Sequence, residues 1–300
     1  MAEPRWTAAD VPDLAGRIAV VTGGNTGLGF EVARVLATRG AQVTIACRDV
    51  AKAQRAADDI PGASIVPLDL ASLESVREAA AALNGEYEKI DLLINNAGVM
   101  MTPYLWTKDG FELQFGINHL GHFALTGLVL DRLLAAPAAR IVTVSSLVHR
   151  RGVIDFNDLA SELHYDRTAA YGRSKLANLL FAYELQRRLA AAGAPAISLA
   201  AHPGYARTEL TRHLPPLIQA GSRLAEPVIA HKAEQGALSI LRAATDPSAV
   251  GGSYYGPSGP FEMRGAPKLV RSNKMSYNED IARRLWSESE QLTGVSFEIR

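Results

Sequence analysis

An α/β fold is what the sequence predicts: a doubly wound, mainly parallel sheet of seven strands with helices on both faces. Three observations carry that prediction. Short β-rich runs alternate with Ala- and Leu-rich helical stretches over most of the 300 residues, the order expected of right-handed strand–helix–strand crossovers. The first six strand candidates are apolar on both sides of the period-two alternation, as parallel strands covered on both faces are. A glycine cluster directly follows the first strand and opens the first helix.

Taken in order, the strand candidates are RIAVVT (17–22), QVTIAC (42–47), SIVPL (64–68), DLLIN (91–95), RIVTVS (140–145), AISLAA (196–201) and GSYYG (252–256). Helical patterns lie between them at about 26–38, 50–59, 72–84, 111–135, 169–192 and 231–244. Segments 203–225 and 257–275 are interrupted by Pro and Gly and read as loops. No repeat, low-complexity tract or linker divides the chain, so residues 1–300 read as one domain.

A composition of 48% hydrophobic and 21% charged residues supports a large core. Thirty-one basic residues balance thirty-one acidic ones, so no bulk field points to nucleic acid or an anionic membrane. The single cysteine, Cys47, excludes an internal disulfide and leaves too little thiol for a Cys-based zinc site. His119 and His122 lie one helical turn apart without an evident third ligand, so no metal is expected. The first residues lack a secretory pattern, and no apolar run reaches the roughly 18 residues of a membrane span. The expectation is a cytoplasmic protein without membrane insertion; a homo-oligomer is left open.

The loop TGGNTGLG (22–29) sits between strand and helix. Glycine lets backbone approach a phosphate, and a helix N-terminus offers free N–H groups and positive partial charge. A tight turn without ligand is the plain alternative, but the strand–loop–helix order favours a nucleotide. Gly23, Asn25, Thr26, Gly27, Leu28 and Gly29 are the candidate contacts. Where an NAD enzyme carries an acid at the end of the second strand, this chain has Cys47, followed by Arg48. A guanidinium suits a ribose 2′-phosphate, so NADP(H) is the expected cofactor. Lys52 is a second, weaker candidate for that phosphate and reads first as an exposed helix lysine, and Asp49 reads as a cap for the next helix.

Tyr171 and Lys175, in AAYGRSKLANLLF (169–181), fall four residues apart on one helix face. An ammonium beside a phenol favours the phenolate and fits the tyrosine for proton transfer. Alone the pair is common, and a packed tyrosine beside a solvated lysine would explain it.

Together, TGGNTGLG, NNAG (95–98), SS (145–146), YGRSK (171–175) and HPGYART (202–208) resemble, in order and over nearly the whole chain, the classical branch of the short-chain dehydrogenase/reductase family. ACRDVAKA, INHLGHF and YGRSKLANLLFAYEL look like its retinol-dehydrogenase-like group, which includes soluble bacterial reductases. The resemblance implies a Rossmann fold and a catalytic tetrad of Asn118, Ser146, Tyr171 and Lys175. Tyr171 would be the acid/base, and Lys175 would tune it and hold the nicotinamide ribose. Ser146 would bond the substrate oxygen, and Asn118 would hold a water chain leading to Lys175. Only one of Ser145 and Ser146 can face the substrate, because neighbouring strand residues point to opposite sides. The resemblance also places Asp69 and Leu70 near the adenine, Asn95 as a sheet brace, Asn96, Ala97 and Gly98 along the cofactor, and Thr208 at the carboxamide. Tyr171 follows Ser146 by 25 positions, a spacing that matches the retinol-like group, and loops 147–168 and 205–225 would border the substrate.

The expected activity is NADP(H)-dependent hydride transfer to or from a carbonyl or alcohol of a small molecule. YLW (104–106) and LPPLI (214–218) point to a lipophilic one. The rival from another class is a catalytically idle NADP-binding sensor or scaffold. Light-dependent protochlorophyllide reduction ranks low, since Cys47 sits on the adenosine side. No Gly-x-Ser-x-Gly hydrolase elbow occurs.

Overall fold

The computed structural model describes residues 5–205 and 232–299. Its strands are β1 (Ile18–Thr22), β2 (Gln42–Cys47), β3 (Ser64–Pro67), β4 (Leu92–Asn95), β5 (Arg140–Val144), β6 (Ile197–Ala201), β7 (Tyr254–Pro257) and β8 (Pro267–Leu269). They form one sheet in the order β3-β2-β1-β4-β5-β6-β7-β8, parallel as far as β7. Among the described residues the sheet therefore has eight strands rather than seven. The eighth, β8, pairs antiparallel with β7, from Tyr255 opposite Leu269 to Pro257 opposite Pro267. A three-residue edge strand containing proline carries too little alternation to be read from sequence, and segment 257–275 was expected to be irregular.

The helices are α1 (Gly27–Thr38), α2 (Val50–Asp58), α3 (Leu73–Glu86), α4 (Gly121–Leu128), α5 (Leu130–Leu134), α6 (Arg167–Ala191), α7 (Ala233–Thr245) and α8 (Glu279–Thr293). Alternate strand residues feed two cores. Ala19, Val21, Ile45, Ile94 and Val142 pack with Val32 and Leu36 of α1 and Ile240 of α7. Val20, Leu93 and Ile141 face Val76 of α3, Phe123 of α4 and Leu185 of α6. This is a Rossmann-type sheet covered on both faces.

Two further departures from the sequence reading matter. The pattern at 111–135 is not one helix: an α turn (Leu113–Phe115) leads into a π turn (Gly116–Leu120), then α4 and α5. A π turn shifts side chains out of the 3.6-residue period, and it carries Asn118. Helix α8 was not anticipated, although Asn278 caps it, Glu279 and Asp280 open it and left-handed Gly294 ends it. Among the described residues no helix is long and apolar enough to cross a membrane.

The strand order reverses between β1 and β4, and the carboxyl ends of the strands there frame a crevice.

Candidate active site

The loop after β1 begins where Gly23 donates its amide to Ala46 O at 2.8 Å, which places it beside the end of β2. Gly23 and Gly27 have φ of 66° and 57°, a left-handed region suited to glycine. A Cβ on Gly29 would strike Gly23 O and meet Asn96 Nδ2 at 2.5 Å, so strand loop and helix approach as only glycine allows. Helix α1 starts after Thr26 with no side-chain cap, whereas α2, α3, α6 and α8 are capped by Asp49, Ser72, Asp166 and Asn278. Uncapped N–H groups beside close-packed glycine fit a diphosphate. Asn25 is half-buried and Leu28 buried within the same turn.

Arg48 is exposed directly beyond β2, and buried Cys47 has its thiol pushed up to about 11 by burial and by Asp49. Past β3, Asp69 accepts from Ala71 N at 3.1 Å and faces Lys108 at 3.9 Å, beside buried Leu70. After β4, Asn96 Nδ2 donates to Thr22 O at 2.9 Å, and the amides of Asn96 and Ala97 donate to Thr22 Oγ1 at 2.9 and 3.0 Å. Asn95 turns away and donates to Thr126 Oγ1 at 3.0 Å. These residues line one run of strand ends, and their donors and glycine cradle fit a nicotinamide dinucleotide.

The proton-transfer candidates converge at the end of β5 and the first turns of α6. Ser145 Oγ donates to Lys175 O at 2.8 Å and ties strand to helix, while Ser146 stands near enough to Tyr171 to favour its phenolate. Tyr171 is 5% exposed, and Lys175 Nζ lies 5.8 Å from its ring centre. Burial pushes the phenol up to about 12 against the lowering effect of Ser146, and burial alone pushes the Lys175 ammonium down to about 8. In the protein alone burial dominates the phenol, which is not depressed as the i, i+4 pairing suggests. Lys175 Nζ donates to Val144 O at 3.1 Å.

Asn118 closes the group from the π turn. Its Nδ2 donates to Val99 O and Ser174 Oγ, both at 2.9 Å, and its Oδ1 accepts from Val99 N at 2.8 Å. The amide is thus occupied in joining the loop after β4 to α6. A Cβ on Gly98 would meet Asn118 Oδ1 at 2.9 Å and Lys175 Nζ at 3.5 Å, so Gly98 touches both. Ser174 also donates to Tyr171 O at 2.8 Å, a back-bond that three-residue helical spacing allows.

Sequence reading missed several supporting groups. Arg173, between Tyr171 and Lys175, reaches Asp158 O, Leu159 O and Ser161 Oγ at 2.8–2.9 Å and clamps loop 147–168. Tyr165 donates to Thr102 O at 3.0 Å and stacks on Tyr104 at 4.7 Å, joining that loop to YLW. Glu262, in the turn between β7 and β8, meets Arg150 at 2.9 Å and His202 at 3.3 Å. No sequence spacing signals these long-range pairs. His119 turns to Ser289 of α8 at 2.9 Å and His122 to Thr22, so the two do not converge. Among the described residues no group of three metal-ligating side chains occurs. Thr208, LPPLI and positions 206–225 of the second loop lie outside the described residues.

The glycine-cradled crevice and the Ser–Tyr–Lys cluster, with its buried tyrosine and lysine, together define a nicotinamide-dinucleotide oxidoreductase scaffold. The chain belongs to the short chain dehydrogenase family, whose model matches residues 17–217. It is 42% identical to retinol dehydrogenase 13 of Homo sapiens, over 94% of this chain and 86% of that one. It is also 42% identical to human retinol dehydrogenase 12, over 95% and 89% respectively. An uncharacterized protein from Mycobacterium Paratuberculosis has a crystal structure that superimposes with a TM-score of 0.84 at 44% identity, covering 98% of this chain and all of that one. The Pseudomonas aeruginosa RhlG/NADP active-site complex superimposes with a TM-score of 0.67 at 27% identity, over 83% and 98%. The chain is thus a hydride-transferring oxidoreductase of the retinol-dehydrogenase-like group.

Proposed function

We propose that residues 1–300 form one NADP(H)-dependent enzyme that interconverts a carbonyl and an alcohol on a lipophilic small molecule. The observation that carries the reading is the Ser146–Tyr171–Lys175 cluster, in which a half-buried serine meets a buried tyrosine and a buried lysine, set beside the loop that ends at Gly98. Ser146 orients the substrate oxygen. Tyr171 gives that oxygen its proton in reduction and takes it back in oxidation; a phenol pushed up to about 12 by burial stands protonated at neutral pH, ready to donate. Lys175 holds positive charge beneath the phenol and keeps further N–H groups for a ribose hydroxyl. Asn118 braces the floor. The bound nicotinamide would supply or accept the hydride, and would add a positive ring charge when oxidised.

Arg48, exposed past β2 with no acid at Cys47, supports NADP(H), as does the NADP in the RhlG complex. A lipophilic substrate is supported by exposed apolar groups: Leu163 at 85% on loop 147–168, Leu105 at 48% and Trp106 at 45% in the YLW segment that Tyr104 joins to it, and Phe261 at 82% in the turn that Glu262 and Arg150 tie to it. The relatives named retinol dehydrogenases carry the same implication.

The test is NADPH oxidation with a panel of apolar aldehydes, ketones and quinones, followed by Tyr171→Phe on the best substrate. Turnover should fall about 10²–10⁴-fold, the usual contribution of a general acid, with NADPH affinity nearly unchanged. Near-normal turnover in that variant would sink the assignment. Failure with every carbonyl class, with tight NADPH binding retained, would favour the sensor.

A further inference from the structure

One buried ring joins two parts of this site that are remote in sequence. His122, 1% exposed near the start of α4, places Nδ1 3.1 Å from Asn118 O and Nε2 2.9 Å from Thr22 Oγ1. A carbonyl only accepts, so Nδ1 must carry a hydrogen. Burial holds the imidazole neutral, with its pKa lowered to about 4, and the nearby Lys175 charge acts in the same direction. Nε2 is then a bare acceptor. The Thr22 hydroxyl oxygen already receives the amide hydrogens of Asn96 and Ala97, so its own hydrogen goes to Nε2. The alternative acceptor, Ile94 O, is more distant at 3.3 Å. Every polar atom in this chain has one role, and reversing the ring would leave two acceptors facing each other at Asn118 O.

We infer that His122 is a positioning residue: its Nδ1–H tautomer fixes the π turn carrying Asn118 against the Thr22-anchored loop of Asn96, Ala97 and Gly98. The Thr22 end of the chain acts on the cofactor-lining loop, and the Asn118 end acts on the floor beneath Lys175. A second tie runs beside it, since Thr126 Oγ1 donates to His122 O at 2.7 Å and accepts from Asn95 Nδ2. Gly121 next to His122 lets Leu70 O approach to 2.8 Å of where a Cβ would stand, so the same turn also abuts the adenine-side loop. The inference deepens the proposed function and rests on its roles for Asn118 and the loop after β4.

The two ends separate experimentally. His122→Asn keeps an N–H at the Nδ1 position and loses the acceptor for Thr22; His122→Gln keeps a carbonyl near Nε2 and loses the donor to Asn118 O. His122→Gln should lower kcat more than His122→Asn does, roughly threefold to tenfold for one hydrogen bond. His122→Asn should raise the dissociation constant of NADPH more than His122→Gln does, by a similar factor. Nitrogen-15 NMR of the native protein should report the Nδ1–H tautomer, a readout that no mutant's folding can disturb. An Nε2–H ring, or two variants that lose kcat and NADPH affinity in equal proportion, would overturn the brace. If no carbonyl is reduced, the proposed function fails by itself, while the tautomer and the order of NADPH affinities still decide the role of His122.

Discussion

Lys175 is an ammonium held in a dry place, and its charge depends on pH within the working range. Burial lowers its pKa from 10.5 to about 8, so the folded, cofactor-free protein loses this charge as pH rises through about 8. A ribose hydroxyl is held better by the charged form, whose hydrogen bonds contribute about 1.5–3 kcal/mol. NADPH affinity should therefore be flat below pH 7.5 and weaken roughly tenfold by pH 9.5. Lys175→Met should bind weakly with no such slope; fluorescence titration at each pH decides, and a native curve as flat as the variant's would remove Lys175 from the cofactor site. Arg48 makes a separate claim at the other end of the crevice. Arg48→Ala should cost roughly tenfold or more in NADPH affinity and far less for NADH, while Cys47→Asp should favour NADH by repelling the phosphate. Equal weakening of both cofactors in Arg48→Ala would show that another residue selects. Much at this scale was legible because it is local: the two-residue alternation separates Ser145 from Ser146, and helical spacing brings Tyr171, Ser174 and Lys175 together. The His122 chain was not, because it joins positions about a hundred residues apart through a tautomer that only packing can set.

Strands and short crossover helices were readable where one face or both had a regular apolar period, and that condition failed in two elements. The π turn Gly116–Leu120 lies inside a run that keeps helical composition, so nothing in the residue order marks the slip that aims Asn118 inward. Helix α8 carries start and stop signals, but its apolar stripe acquires a partner only when α6 and α4 are already in place. Trp286, 2% exposed, packs on Phe123, Phe181 and Phe297 with ring centres at 5.2, 5.8 and 4.5 Å, and Arg188 lies over it at 4.3 Å. Phe181 sits on the same helix as Tyr171 and Lys175, so α8 supports the element that carries the site. Trp286→Ala should lower unfolding stability by about 3–5 kcal/mol, the usual cost of emptying an aromatic site. Its indole Nε1 has no hydrogen-bond partner among the described residues, so Trp286→Phe should lose much less: it leaves a smaller void and removes an unpaired donor, whose burial costs about 1–3 kcal/mol. Urea denaturation of both variants tests this, and equal losses would mean that the indole N–H is satisfied after all.

Across the whole molecule, buried imidazoles set the response to acid. Burial lowers His119 to about 3, and His122 and His149 to about 4; His202 is lowered too, against the pull of Glu262. His149 is held as His122 is, with Nδ1 at 2.6 Å from Ser146 O and Nε2 accepting from Asn273 N at 3.2 Å. In the unfolded chain these rings bind protons near pH 6.5, whereas in the fold His122 and His149 stay neutral until about pH 4 and His119 until about pH 3. Between those values the unfolded state holds more protons, so stability falls as pH falls. Each ring contributes on the order of 3 kcal/mol by the bottom of that window, and three of them approach the roughly 5–15 kcal/mol by which a typical domain is stable. Asp246 and Glu262 are held below their ordinary carboxylate values, so they add to the loss only lower down. The urea midpoint should therefore be level above pH 7, begin to fall near pH 6.5 and drop steeply before pH 4. Removing one ring tests the source: His119→Leu should reduce the slope in this window by about one proton, whatever it does to stability at pH 7. A midpoint that stays level to pH 4.5, or a slope unchanged in His119→Leu, would show that these rings already share in the titration of the folded state and that the site is wetter than its packing implies.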